Sequence, residues 1–165
     1  MQHNISLIAY HLPLDAHITL GNNAALADLL DIQTTCALDP SEAYPIGNIG
    51  ELCNAMTVEQ LSQHITTRLN RVPLHLAGHS ATIKKVGFCT GGAQDYLYKA
   101  ALQGCDAYIS GEVSERTYHE AKELGIHYFA CGHHATERGG VQRLGIAITQ
   151  QFDVEVKFMD YVNPV

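Results

Sequence analysis

Residues 85–131 read KVGFCTGGAQDYLYKAALQGCDAYISGEVSERTYHEAKELGIHYFAC, and this stretch decides the fold. Lys85–Cys89 is a short apolar run with strand character, and Thr-Gly-Gly then turns the chain into a helix-length stretch over Ala93–Gln103, stopped by Gly104. Asp106–Ser110 repeats the strand pattern, Ser114–Leu124 the helix pattern closed by Gly125, and His127–Cys131 the strand pattern again. Gly104 and Gly125 stand where left-handed helix C-caps are wanted. Apolar runs alternating with amphipathic segments of helix length predict βαβ units, hence an α/β fold with a mostly parallel or mixed sheet.

The pattern extends outward in both directions. Downstream, a helix is expected from about Ala135 to Gln151 and a closing strand over Val154–Met159. Upstream, Thr57 and Gln60 have capping-box spacing ahead of a helix ending near Leu69, and Leu74–Ala77 reads as a short strand. Asn22 is placed as the N-cap of a short helix over Ala24–Leu30, residues 33–52 read as strand and loop, and Ile5–Tyr10 reads as a buried strand. No repeat or linker interrupts the series, so residues 1–165 are parsed as one α/β unit.

Composition narrows the function classes. Of 165 residues 46% are hydrophobic, which matches globular proteins and excludes overall disorder. The formal net charge of -7 disfavours adhesion to nucleic acid or anionic membrane. No apolar run has the roughly 18 residues of a membrane span. The cysteines, Cys36, Cys53, Cys89, Cys105 and Cys131, are odd in number and form no C-x-x-C pair. They are expected to be free thiols, mostly buried, in a cytoplasmic protein.

Two histidine clusters follow strand-like segments, where parallel sheets present ligands. One is His11-Leu12-Pro13-Leu14-Asp15-Ala16-His17; the other is His133-His134-Ala135-Thr136-Glu137-Arg138-Gly139-Gly140. Spacing of four residues lets His133 and Glu137 share a helix face and pinch one cation, with Asp15 as a further oxygen donor. Mixed His, Asp and Glu donors suit Zn, Mn, Fe or Co rather than a thiolate zinc site. The same residues also fit a helix cap, with Glu137 a favourable anion at the helix start, and a proline turn served by His11 and Asp15. The Thr90-Gly91-Gly92 turn is read either as an anion cradle or as a tight turn, and Glu112 as a general base, a partner of a ligand, or helix-start charge. His17, His64, His75, His79 and His119 are read as surface residues.

Taken together, the His11–His17 run, Gly21-Asn22-Asn23, Cys89-Thr90-Gly91-Gly92, Ser110-Gly111-Glu112-Val113-Ser114-Glu115 and Gly132–Gly140 resemble the Nif-three-like family of dinuclear-metal proteins, the GTP cyclohydrolase 1 type 2 (YbgI-like) homologues. The likeness runs from about Ser6 to Pro164. It implies a toroidal homohexamer with up to two divalent metal ions per subunit, Asp15, His133 and Glu137 as metal ligands, and His11 close to that site; His11 and Glu112 are taken as the catalytic candidates. The hydrolytic label that the family carries, opening of the imidazole ring of GTP, is the activity the resemblance implies. Family members carry an upstream strand ending in a His-His-Gly motif that supplies two more ligands. Set beside that pattern, the chain corresponds to the rear two-thirds of a member, from a truncated or split reading frame. Weak metal binding, one ion rather than two, impaired activity and exposed sheet edge are then expected. The alternatives are a non-catalytic oligomeric metal-binding scaffold and, against the charge, a nucleic-acid-binding ring.

Overall fold

The computed structural model describes residues 3–165. Six strands form one mixed sheet: β1 (Ile32–Ala37), β2 (Asn48–Met56), β3 (Leu74–Leu76), β4 (Ile83–Cys89), β5 (Ala107–Ser110) and β6 (His127–Ala130), in the spatial order β1-β2-β4-β5-β6-β3. The centre is parallel, with Val86 beside Ala107 and Ala107 beside His127, and the outer strands β1, β2 and β3 run antiparallel to their neighbours. The helices are α1 (Leu12–Asp15), α2 (Asn22–Leu29), α3 (Val58–Leu69), α4 (Leu97–Leu102), α5 (Glu115–Leu124) and α6 (His133–Gln151).

Alternation along the central strands divides the core into two layers. Val86, Phe88, Ala107, Ile109 and Phe129 join Leu26 from α2, Leu30 just after it, and Leu61, Ile65 and Leu69 from α3. Tyr108, Tyr128 and Ala130 point the other way, against Leu97, Ala100 and Ala121 from α4 and α5. Gly87 is required in this layer, since a Cβ there would lie 2.7 Å from the Ala100 methyl. The two deepest tyrosines keep their hydroxyls paired: Tyr108 donates to the Ala93 carbonyl at 2.8 Å and Tyr128 to the Glu112 carbonyl.

The Thr57–Gln60 capping box forms as expected, with both reciprocal bonds present. Gly125 takes the left-handed conformation at the end of α5. The stretch after Gly92 starts as a 3-10 turn, Gln94–Tyr96, before α4.

Four expectations are corrected. Ile5–Tyr10 is not a strand: it pairs with no strand among the described residues, and Ile5, Leu7, Ile8 and Tyr10 are all exposed. Val154–Met159 is not a strand either; it runs back along α6, where Val156 lies against Gly145, and a Cβ on that glycine would approach it to 2.9 Å. Both segments have the apolar content of a strand, but content does not supply a neighbour to complete the ladder. Asn22 does not cap α2; it is the first helical residue after Gly21, and its side chain is engaged elsewhere. Finally, His64 and His75 are half-buried rather than superficial. His64 reaches the Leu30 carbonyl at 3.1 Å, and His75 stacks on Phe129 with ring centroids 4.7 Å apart.

Candidate functional site

Three consecutive parallel strands deliver backbone to one place. The chain leaves β4 through Thr90-Gly91, β5 through Gly111-Glu112 and β6 through Gly132-His133. Gly111 N–H and Glu112 N–H both donate to the Gly91 carbonyl, at 2.9 and 3.1 Å, and Gly132 N–H donates to the Gly111 carbonyl at 2.8 Å. The three crossings are thus tied edge to edge at the C-terminal end of the parallel strands, the position where open α/β sheets bind ligands.

His133 opens α6 and stands between two carboxylates. Its Nδ1 lies 2.6 Å from Glu112 Oε1 and its Nε2 lies 3.1 Å from Glu137 Oε2, one helical turn on. Desolvation opposes protonation of this imidazole, but the Glu112 hydrogen bond and the two acidic neighbours prevail and raise its pKa. Burial raises the Glu137 pKa in turn, with Asp15 adding to the rise and His133 opposing it. Nε2 and the Glu137 carboxylate thus face each other at 3.1 Å.

Asp15 reaches the same cavity from α1. It is 6% exposed, its Oδ1 accepts from Asn22 Nδ2 at 2.7 Å, and its backbone carbonyl accepts from Asn23 Nδ2 at 3.2 Å. His11, one turn earlier, is exposed, with Nδ1 3.8 Å from Asp15 Oδ2. Asn22 and Asn23 bind these pieces together: Asn22 Oδ1 accepts from Gly140 N–H on α6 at 2.8 Å, and Asn23 Oδ1 from Thr90 N–H at 3.0 Å. The resulting cavity, about 340 Å³, is lined by His11, Asp15, Thr90, His133 and Glu137 among others.

Of the predicted site residues, His11, Asp15, His133 and Glu137 line one cavity, and Glu112 holds the outer nitrogen of His133. His134 turns away, toward Asp160 at 2.8 Å, and His17 accepts from the Thr19 and Leu20 N–H groups in its own turn. The Thr90-Gly91-Gly92 turn is a floor rather than an anion cradle. Its Thr90 and Gly91 N–H groups are taken by Asn23 and Thr136, and Gly91, at φ +67°, lies so close to Glu137 that a Cβ would overlap its Oε1.

Whether a divalent metal suits these residues is decided by donor chemistry. A metal-binding imidazole normally donates its other N–H to a carboxylate, the role Glu112 fills, leaving Nε2 toward the cavity. Thr90 Oγ1 is buried at the wall without a hydrogen-bond partner. Donor type and orientation therefore fit a divalent cation. Among the described residues, however, no three His, Cys, Asp or Glu side chains converge as a closed metal site. The roles of Asn22, Asn23 and Thr136 escape a reading by sequence, because a buried amide is recognised by its contacts and not by any spacing.

No described helix is long and apolar enough to cross a membrane. Burial pushes the Cys89 and Cys131 thiols up to about 12, which sets them apart from the site's chemistry although Cys89 abuts it.

The geometry has counterparts in known proteins. A GTP cyclohydrolase 1 type 2 homolog of Vibrio cholerae is 47% identical over 169 residues, covering 100% of this chain and 66% of that protein. Its namesake in Escherichia coli K12 is 42% identical over 165 residues, covering 99% of this chain and 65% of its own length. Among solved structures, protein ybgI, described as of unknown function, superposes with a TM-score of 0.90 at 43% identity, over 95% of this chain and 62% of that one. TTHA1606 of Thermus thermophilus gives 0.84 at 26% identity, over 99% and 64%. The chain thus spans somewhat under two thirds of the length of the relatives it matches. Residues 1–164 match the model of the family Duf34/NIF3 (NGG1p interacting factor 3), and to that family the chain belongs.

Proposed function

We propose that this chain is a metal-binding member of its family, acting as a metal-dependent hydrolase on a nucleotide or related small molecule. The observation that carries the reading is His133 held by Glu112 through Nδ1 while Nε2 faces Glu137 on the wall of the Asp15 cavity. Asp15, His133 and Glu137 are the residues that would hold the metal, with Zn, Mn, Fe or Co suited to the donor set and up to two ions per subunit, as the family resemblance implies. When bound, such an ion supplies Lewis acidity at the cavity wall. Glu112 accepts from Nδ1–H and fixes the ring of His133 with Nε2 toward the cavity. His11 stands exposed at the rim beside Asp15, free to swing toward a substrate and exchange a proton with it. The relatives' printed name, GTP cyclohydrolase 1 type 2 homolog, supports a purine nucleotide as the first substrate to try. The proposal includes a homohexameric assembly and a cytoplasmic setting, the latter supported by five free cysteines.

A second reading, a non-catalytic metal-binding scaffold, is favoured by one observation: no three described donors converge. Elemental analysis after purification separates the outcomes, read beside His133→Ala and Glu137→Ala. Bound metal lost in both variants supports the site; unchanged metal content overturns it. Chelator-sensitive loss of GTP's ultraviolet spectrum supports hydrolysis, and an inert, fully loaded protein supports the scaffold.

A further inference from the structure

The segment after α6, residues 152–165, forms no helix or strand, yet it is held at several points. It runs back along α6 toward the start of that helix. Asp160 Oδ1 accepts from His134 Nε2 at 2.8 Å and Oδ2 from Arg138 Nη1 at 3.1 Å. The Pro164 carbonyl accepts from Arg71 Nη1 at 2.6 Å, and the Val165 carbonyl from His134 N–H at 3.2 Å. Every one of these contacts has the same polarity: oxygen from the segment, N–H from the body. The His134 imidazole and the Arg138 guanidinium meet on the one Asp160 carboxylate, while Arg71 and the His134 N–H hold two carbonyls further along; imidazole, guanidinium and helix N-terminal N–H are donor types that recognise phosphate groups. They are concentrated here in a chain whose formal net charge is -7.

Location gives this surface a purpose. The cavity it borders, about 530 Å³, is lined by His133 and Glu137 as well as by His134, Arg138, Phe158 and Asp160. His133 and Glu137 therefore face two cavities, the Asp15 side and the Asp160 side. The basic surface is also independent of the segment that covers it. Arg138 Nη2 donates to the Leu69 carbonyl at 3.3 Å, and His134 is fixed by the helix, so both stay aimed when the segment leaves.

We propose that Asp160 occupies a phosphate subsite formed by His134 and Arg138 in the first turns of α6, and that residues 152–165 are a strap which a phosphate-bearing ligand displaces. The carboxylate is an internal stand-in for the ligand's phosphate. The inference deepens the nucleotide reading and rests on it for the ligand class, but it does not require a metal. A tethered occupant competes at high effective concentration, so the intact chain binds phosphate weakly until the strap is released. Release opens the cavity beside His133 and Glu137.

The test uses the full chain in buffer stripped of metal, so that failure of the metal reading leaves it intact. Inorganic phosphate and GMP are titrated by calorimetry into the unaltered protein, Asp160→Ala and Arg138→Gln, with thermal melts confirming that each folds. Asp160→Ala is expected to bind phosphate about tenfold more tightly, the gain that follows if the strap leaves the subsite open about a tenth of the time. Arg138→Gln is expected to lose binding. Trypsin gives a second readout, because Lys157 is the only Lys or Arg of the strap. Saturating phosphate should speed its cleavage in the unaltered chain. GMP binding tighter than phosphate assigns a nucleotide as the source, and equal affinities assign the phosphate group alone. Unchanged phosphate affinity in Asp160→Ala, or Lys157 cleavage indifferent to phosphate, would overturn the proposal even if Arg138→Gln fails to fold.

Discussion

His133 Nδ1 lies 2.6 Å from Glu112 Oε1, so the first residue of α6 is oriented by a carboxylate from the preceding strand crossing, 21 positions earlier in the chain. A carboxylate at Nδ1 is satisfied by a proton there, and when that is the ring's only proton Nε2 is left bare toward Glu137, the form a cation needs. The strand crossing therefore favours the tautomer on which any cation binding at Nε2 depends. Glu112→Gln replaces an acceptor-only group with one that can present either oxygen or N–H. Metal affinity is expected to fall about 10–100-fold, the usual effect of altering a partner behind a metal-binding imidazole. Competition titration with a chromogenic chelator measures it, and an unchanged dissociation constant would remove Glu112 from the site.

The floor under that pair makes a sharper demand. Gly91 has φ +67°, and a Cβ there would overlap Glu137 Oε1 and lie 3.1 Å from His133 Nε2. Gly91→Ala combines an unfavourable left-handed backbone with a displaced Glu137. A loss of roughly 1–3 kcal/mol in stability is expected, together with loss of bound metal. Urea denaturation and elemental analysis read the two effects separately.

Much of this arrangement is legible in the sequence, for identifiable reasons. Thr57 and Gln60 cap α3 through contacts three residues apart, and His133 and Glu137 meet through helical spacing, so local pattern suffices for both. Ile109 and Tyr108 alternate because β5 is covered on both faces. Ile5–Tyr10 misleads because an apolar run reports what a segment contains and not what lies beside it. Asn22 misleads in another way: its type fits an N-cap, while its amide is committed to Asp15 and Gly140, 118 residues away in the second case. Contacts over such separations leave no trace in spacing.

His75 gives the fold a pH dependence away from the site. It packs between His127 and Phe129, with Nε2 3.0 Å from His127 Nδ1. Burial lowers its pKa, His127 and Lys122 add to the fall, and Glu59 opposes it. A histidine with a depressed pKa takes up its proton in the unfolded chain first. Its contribution is complete above the usual histidine value of about 6.5 and is lost as pH falls below it. The melting temperature is expected to drop between pH 7.5 and 5.5, and to drop less in His75→Phe, which keeps the stack on Phe129. Parallel slopes in the two proteins would assign the acid sensitivity elsewhere.

Thiol chemistry should divide the cysteines by burial. Cys36 and Cys53 are exposed, whereas Cys89, Cys105 and Cys131 are buried. Burial pushes Cys105 up to about 11, and Cys89 and Cys131 to about 12, so little thiolate forms in them at neutral pH. Ellman's reagent is expected to titrate two thiols in the folded chain and five after denaturation. A third fast-reacting thiol would mean that one of the two core layers opens on the timescale of the assay.

Asn22 is where the site and the fold are hardest to separate. Its amide donates to Asp15 Oδ1 at 2.7 Å and accepts from Gly140 N–H at 2.8 Å, and both partners are buried. Asn22→Ala leaves a carboxylate oxygen and a backbone N–H without these bonds, a cost of about 2–4 kcal/mol when neither reaches water. Asn22→Asp keeps the acceptor for Gly140 but sets a second carboxylate against Asp15, so one of the two must take up a proton. A cation in the cavity would relieve that repulsion, whereas nothing relieves the hole left by alanine. If Asp15 is a metal ligand, divalent metal should therefore restore more of the melting temperature to Asn22→Asp than to Asn22→Ala. Equal gains, or none, would confine Asp15 to a structural role in joining α1 to α6.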